Sequence, residues 1–135
     1  MIGSDMENQD LTPMVSQGKW FSMLEDQAYP AHPLFSNFFM DLLIHIATPH
    51  SRGVLDHLAR ACARSGIQWA CFLTNDGVKL LEVQSIQKAL SAADALIVCK
   101  HAWNLHLPGK ECPAEFGSQS DNSHLMGRSR KVISL

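Results

Sequence analysis

The chain has no apolar run near the length of about 20 residues that a bilayer-spanning helix needs. Its first segment, MIGSDMENQD, is acidic and polar, where a secretory signal would be basic and then apolar. Neither membrane insertion nor export is expected, and a cytoplasmic location is. An excess of one charge is also missing: 11 Lys and Arg stand against 13 Asp and Glu, a net charge of −2. That balance offers no field to gather phosphate backbones or anionic lipids, so nucleic acid is not an expected partner. The patterns GxGxxG, GxxxxGK[ST] and GxSxG do not occur. Dinucleotide, P-loop and α/β-hydrolase chemistry therefore lack their phosphate cradle or nucleophile elbow. There is no internal repeat and no low-complexity tract.

Cysteine is sparse, with four residues at Cys62, Cys71, Cys99 and Cys112. In a reducing compartment these are expected to be buried, catalytic or metal-bound rather than a disulfide framework. None is needed as a staple, because 135 residues with 46% hydrophobic content suffice for one compact domain with its own core.

Residues 1–38 mix Gly, Ser, Gln and Pro with scattered aromatics, and YPAHP places two prolines where neither helix nor strand passes undisturbed. This stretch reads as an extension whose aromatics pack on the body or on a neighbouring subunit, ahead of an α/β domain over 39–135. From MDLLIHIAT the pattern becomes an aliphatic run without polar alternation, the mark of a strand buried on both faces of a parallel sheet. SRGVLDHLARACARSG follows as a helix, with Ser51 as N-cap, Gly66 as the residue after its end, and Val54, Leu55, Leu58, Ala61 and Cys62 at helical spacing. QWACFLT is a second buried strand, stopped by turn chemistry at Asn75, Asp76 and Gly77. A helical stretch over 85–93 leads to a third strand, DALIVC, and KHAWNLH supplies two helical turns before LPGKECP breaks the chain. AEFGSQ is too short to assign, DNSHLMGRS forms a helix, and KVISL closes the chain as a strand. The alternation predicts a single-domain, doubly wound α/β fold: a mainly parallel sheet of about five strands with helices on both faces and right-handed crossovers.

In such sheets ligands and reactive groups gather beyond the carboxyl ends of the strands. Cys99 ends one strand and directly precedes a helix, whose positive end and free N–H groups favour a thiolate or persulfide anion over the neutral thiol. Lys100 and His101 add cationic character, although alternation can turn Lys100 away. The other reading of Cys99 is plain packing, since free cysteine is among the most buried residue types. Cys62 on a helix stripe and Cys71 inside a strand are expected to pack in the core. A third possibility is zinc, because Cys99, His101, His106 and Cys112 are metal-competent and close in sequence. Their spacing, C-x-H-x4-H-x5-C, fits no paired-knuckle pattern, and a domain of this size needs no structural metal. Neither a metal nor an organic cofactor is expected. His45 on a strand and His57 on a helix are expected to be satisfied structural or surface histidines.

Over residues 40–135 the order of features resembles the DsrE-like proteins of sulfur relay and sulfur oxidation, which include TusD and DsrF. The resemblance is carried by LLIHIATPHSRGVLDHLARACARSG, FLTNDGV, ADALIVC ending on cysteine, and GRSRKVISL. It implies a small α/β subunit of a trimer or hexamer, alone or with related subunits. It further implies that the strand-end cysteine, Cys99 here, takes sulfane sulfur as a persulfide and passes it to a TusA-like or DsrC/TusE-like carrier. His101 would polarise or position that sulfur, and the loop at Asn75, Asp76 and Gly77 would shape the mouth. The chain departs from family habit in Lys100, His101 and Trp103, which make a bulkier, more basic mouth, and in the extension over 1–38. Cys112, with no fixed counterpart, is either a second thiol or an idle loop residue. The rival reading is a non-catalytic assembly subunit, with a zinc-binding module as a third.

Overall fold

A computed structural model describes residues 39–135; the extension expected over 1–38 lies outside the described residues. Five strands run in chain order: β1 (Met40–Ile46), β2 (Trp69–Leu73), β3 (Ala95–Cys99), β4 (Glu115–Gly117) and β5 (Ser129–Ser134). Four helices join them: α1 (Arg52–Ser65), α2 (Gln84–Leu90), α3 (Lys100–His106) and α4 (Gln119–Gly127). The sheet order is β4-β3-β2-β1-β5, and every pairing is parallel. The fold is thus a parallel α/β sheet, as the alternation of strands and helices predicts.

The first three crossovers step in one direction across the sheet, whereas the connection from β4 to β5 returns across it. With right-handed crossovers, that reversal puts α4 on the face opposite the other helices. In keeping with this, α4 packs against β1, β4 and β5, while α1 packs against α2. The central strands are therefore covered on both sides. Leu43, Ile44, Trp69, Phe72 and Leu73 are buried to within 1%, each worth roughly 1.5–3 kcal/mol relative to exposure.

Local chemistry explains the boundaries. Gly66 closes α1 at φ 68°, a left-handed conformation that glycine adopts without steric cost. Ser51 occupies the N-cap position of α1, but its side chain makes no cap bond, because Pro49–Ser51 forms a 3-10 turn running straight into the helix. The apolar stripe of α1 is Leu55, Ala59 and Cys62; Val54, expected on it, is 59% exposed. AEFGSQ supplies β4, an edge strand of three residues whose existence depends on pairing with β3.

The NDG segment extends further than a turn. Asn75–Glu82 is 3-10 helix, started by Asn75 at φ 51°, a region asparagine tolerates better than most residues. It lies so close to the end of β1 that a Cβ on Gly77 would sit 2.8 Å from the Ile46 carbonyl oxygen and 3.0 Å from Thr48 N. Gly77 is thus required by backbone packing.

His45, expected to be satisfied, is half-buried and stacks on Phe72 at a centroid distance of 6.2 Å. Its buried Nδ1 has no hydrogen-bond partner among the described residues, and burial lowers its pKa from the ordinary imidazole value.

Three substitutions test these contacts. Gly77→Ala should lower stability in urea titrations by about 1–3 kcal/mol through overpacking against rigid backbone. Gly53→Ala, with nothing within 4 Å of the added Cβ, should leave stability unchanged or raise it by up to about 1 kcal/mol. For His45, the unfolded chain takes up the proton at a higher pH than the folded chain does. Stability is therefore complete above the ordinary imidazole pKa of about 6.5 and declines as pH falls below it. His45→Phe, which preserves the ring stack and removes the ionisable nitrogen, should flatten the fall in stability between about pH 7 and 5.

Candidate functional site

The carboxyl edge of the sheet is where β2, β3 and β4 release their chains into the 3-10 segment, α3 and α4. Leu73 pairs with Val98, and Cys99 pairs with Gly117. The residues leaving the three strands are therefore neighbours, and a cavity of about 300 Å³ opens among them. Its walls are Thr74 and Asn75 from the end of β2, Cys99 from β3, His101, Ala102, Leu105 and His106 from α3, and Gln119 from the start of α4.

Cys99 is the residue at which strand becomes helix, with φ −60° and ψ 115°, and α3 begins at Lys100. It is 6% exposed. The residue thus packs with the core and also borders a cavity at the carboxyl edge of the sheet. A glycine, Gly117, stands beside it in register. A Cβ there would lie 2.5 Å from Ile97 Cγ2 and 3.1 Å from Asp121 Oδ2, so the absence of a side chain lets the first turn of α4 close onto β3.

Helix α3 presents two different sides. Ala102 and Trp103 are buried, whereas Lys100, His101 and Leu105 are exposed. His101 borders the cavity together with Cys99; Lys100 is not among its lining residues. Trp103, expected at the mouth, is instead 3% exposed. Its Nε1–H donates to the Lys110 carbonyl at 2.9 Å, and its ring meets Phe116 edge-on at 6.4 Å. It serves to anchor the loop after α3.

Within the expected mouth loop, Asn75 reaches the cavity, while Asp76 and Gly77 are not among the lining residues. Cys112 borders a different cavity, of about 480 Å³, together with Leu81, Trp103, Lys110 and Pro113. Burial pushes its thiol up from the ordinary value, partly offset by a hydrogen bond with the Ala114 backbone. Cys99 and Cys112 thus open onto separate spaces. Burial, reinforced by the neighbouring Cys62, pushes the Cys71 thiol far up, and burial also raises that of Cys62; both pack in the core.

Three of the four residues weighed for zinc share the Cys99 cavity, but Cys112 does not. Among the described residues no group of three His, Cys, Asp or Glu side chains could hold a metal ion. No helix among them is long and apolar enough to cross a membrane.

Thr74, Leu105 and Gln119 also line the cavity, beyond the residues expected there from the sequence. Gln119 had a readable signal: Ser118-x-x-Asp121 is a capping-box pattern, and the box forms, with Ser118 Oγ accepting from Asp121 N and Asp121 Oδ2 accepting from Ser118 N. That places a helix start at Gln119. Nothing local marks Thr74 or Leu105, whose roles arise from what lies across the cavity.

A scan against protein-family models gives no match, and a search of curated proteins gives no relative.

Under native conditions a small alkylating agent should label Cys112 and Cys99, while Cys62 and Cys71 should react only after unfolding. The rate at Cys112 should keep rising with pH above the ordinary thiol range, because its folded thiol loses the proton later than an exposed one. Peptide mass mapping of time points at several pH values reads both results.

Proposed function

We propose that this chain is a sulfur-transfer protein that carries sulfane sulfur as a persulfide on Cys99 and passes it to a partner carrier, acting in the cytoplasm. The observation that carries the reading is the placement of a strand-end cysteine on a cavity at the carboxyl edge of a parallel sheet, immediately ahead of a helix. The resemblance to the DsrE-like family supports the same chemistry, with TusA-like or DsrC/TusE-like carriers as acceptors and a homo-oligomer or a complex of related subunits as the working form.

The cavity suits the reaction. Taking thiosulfate as donor, the Cys99 thiolate attacks the outer sulfur, the donor S–S bond breaks, and sulfite leaves with the bonding pair. Three negative charges enter and three remain, on Cys–S–S⁻ and sulfite. Onward transfer follows when a carrier thiolate attacks the terminal sulfur and Cys99 leaves as thiolate. No external oxidant, reductant or cofactor enters either step. A space of about 300 Å³ admits a small inorganic donor, and His101 and His106 on its wall supply imidazole groups beside the sulfur's approach.

A second reading, a non-catalytic assembly subunit, draws support from the 6% exposure of Cys99. In that case Cys99 alkylation would be slow across the pH range, whereas a persulfide carrier should show a rate that rises through a thiolate titration.

Incubation with thiosulfate, tetrathionate or polysulfide should add sulfur mass to the intact protein, mapping to Cys99, and Cys99→Ser should abolish it. Persistence of the added mass in Cys99→Ser refutes the assignment of Cys99; its relocation to Cys112 moves the site and keeps the class.

A further inference from the structure

The two edges of the sheet are unlike. One is β4, a strand of three residues. The other is β5, six residues long, without proline, and with no strand beyond it among the described residues. A long open edge is a template for pairing, and proteins ordinarily guard one with charge, proline or a bulge. Such guards stand only at the start of β5. Its cations are Arg130 and Lys131, and the pairing with β1 skips Asp41 and Arg130, passing from Met40 opposite Ser129 to Leu42 opposite Lys131. At the break, Asp41 N–H donates to Gln68 O, on the other side of β1, at 2.7 Å.

From Lys131 onward the strand is regular, and its next two residues are apolar and open: Val132 is 41% exposed and Ile133 36%. Alternation sets them on opposite faces. Leu135 N–H donates to His45 O and Leu135 O accepts from Ala47 N–H, each at 2.8 Å. Both backbone polar groups of Leu135 therefore turn toward β1. Successive residues of a strand turn theirs to opposite sides. Ile133 thus also bonds toward β1, whereas Val132 and Ser134 direct their N–H and C=O groups outward.

The regular stretch from Lys131 to Leu135 has Ile133 at its midpoint. We infer that the occupant of this edge is β5 of a second copy of the chain, running antiparallel about a two-fold axis through Ile133. Val132 of each copy then stands opposite Ser134 of the other. Because both residues turn their polar groups outward, each such pair exchanges both of its N–H···O bonds. Ile133 meets Ile133 of the second copy in the closer, non-hydrogen-bonded spacing, where side chains pack best. On that face Ile133 borders a cavity of about 390 Å³ together with Leu42 and Ile67, so the pairing joins two apolar surfaces into one.

Charge and register select this axis over its neighbours. An axis through Arg130 or Lys131 sets cation directly against cation, which is destabilising. An axis through Val132 puts Ser134 opposite Arg130, where the pairing is broken. With the axis at Ile133, Lys131 stands opposite Leu135 of the second copy, and Arg130 falls outside the paired stretch, with its Nε 3.8 Å from Asp41 Oδ1. A parallel arrangement of two copies would be head-to-tail, whereas the antiparallel one is self-complementary and closes with two. The inference does not rest on the sulfur-transfer reading: β1 and β2 separate β5 from β3, and no residue of β5 lines the Cys99 cavity.

Sedimentation of the full chain should give an assembly of an even number of chains. Val132→Pro removes an N–H that bonds only across the axis and leaves the ladder with β1 intact; it should halve the sedimenting mass. Ile133→Cys brings two thiols together across the axis, with Cα atoms about 4.5 Å apart, within disulfide reach. Mild oxidation of that variant should yield a reductant-sensitive linked dimer that the parent does not form. Val132→Cys, equally exposed but offset from its own copy, should not link. A parent that sediments as a single chain overturns the inference, and so does a folded Val132→Pro variant that keeps the parental mass. If Val132→Pro does not fold, the cysteine variants decide: absence of linkage in Ile133→Cys, or linkage in Val132→Cys instead, overturns it.

Discussion

The parallel pairing of β3 with its two neighbours is the constraint on which the site depends. Because Leu73 aligns with Val98 and Cys99 aligns with Gly117, three strands end within one residue of each other, and three chain segments turn away from one edge. A slip of one residue would exchange the faces of every side chain on the slipped strand. Cys99 would then point toward the side of α1 and α2 rather than toward α4. The buried runs of β2 and β3 resist such a slip, since Phe72, Ile97 and Val98 are all fully buried. The hydrophobic energy of the core thus holds a polar site in register.

The site does not lie where strand order alone would put it. In doubly wound sheets the customary crevice is at the point where the order reverses, which here lies between β1 and β5. There Ala47 N–H donates to Leu135 O at 2.8 Å and Leu135 N–H donates to His45 O at 2.8 Å, which continues the β1–β5 pairing past the strand ends. The open cavity is displaced to β2, β3 and β4. There the 3-10 segment departs sharply from β2, and the short strand β4 lets α4 begin close to β3. Gly77 and Gly117 make these two departures possible, each by lacking a side chain where a neighbour would meet it.

Much of the architecture was legible before the fold was known. The aliphatic runs at 40–48, 68–74 and 94–99 marked buried strands, and the residues between them had the periodicity and end signals of helices. Cys99 could be placed at a strand end and a helix start from the order of ALIVC and KHAWNLH alone. The site was legible only in part. Cys99, His101 and Asn75 come together at one cavity. Trp103 turned inward because α3 rests that side on the loop after it and on Phe116, and Cys112 opened elsewhere. A helix of seven residues shows too few turns for sequence to tell which side will be covered by an element still to come.

What the sequence by itself determined was the kind of element at each place and the end of β3 on a thiol, because these follow from local periodicity, backbone preference and the burial of apolar runs. Only the tertiary structure decided which polar groups would surround that thiol. Thr74 and Gln119 are ordinary residues in their own segments. They meet on the wall of the Cys99 cavity through a contact spanning 45 residues, and contacts of that range are set by strand register and helix placement, which no local pattern encodes.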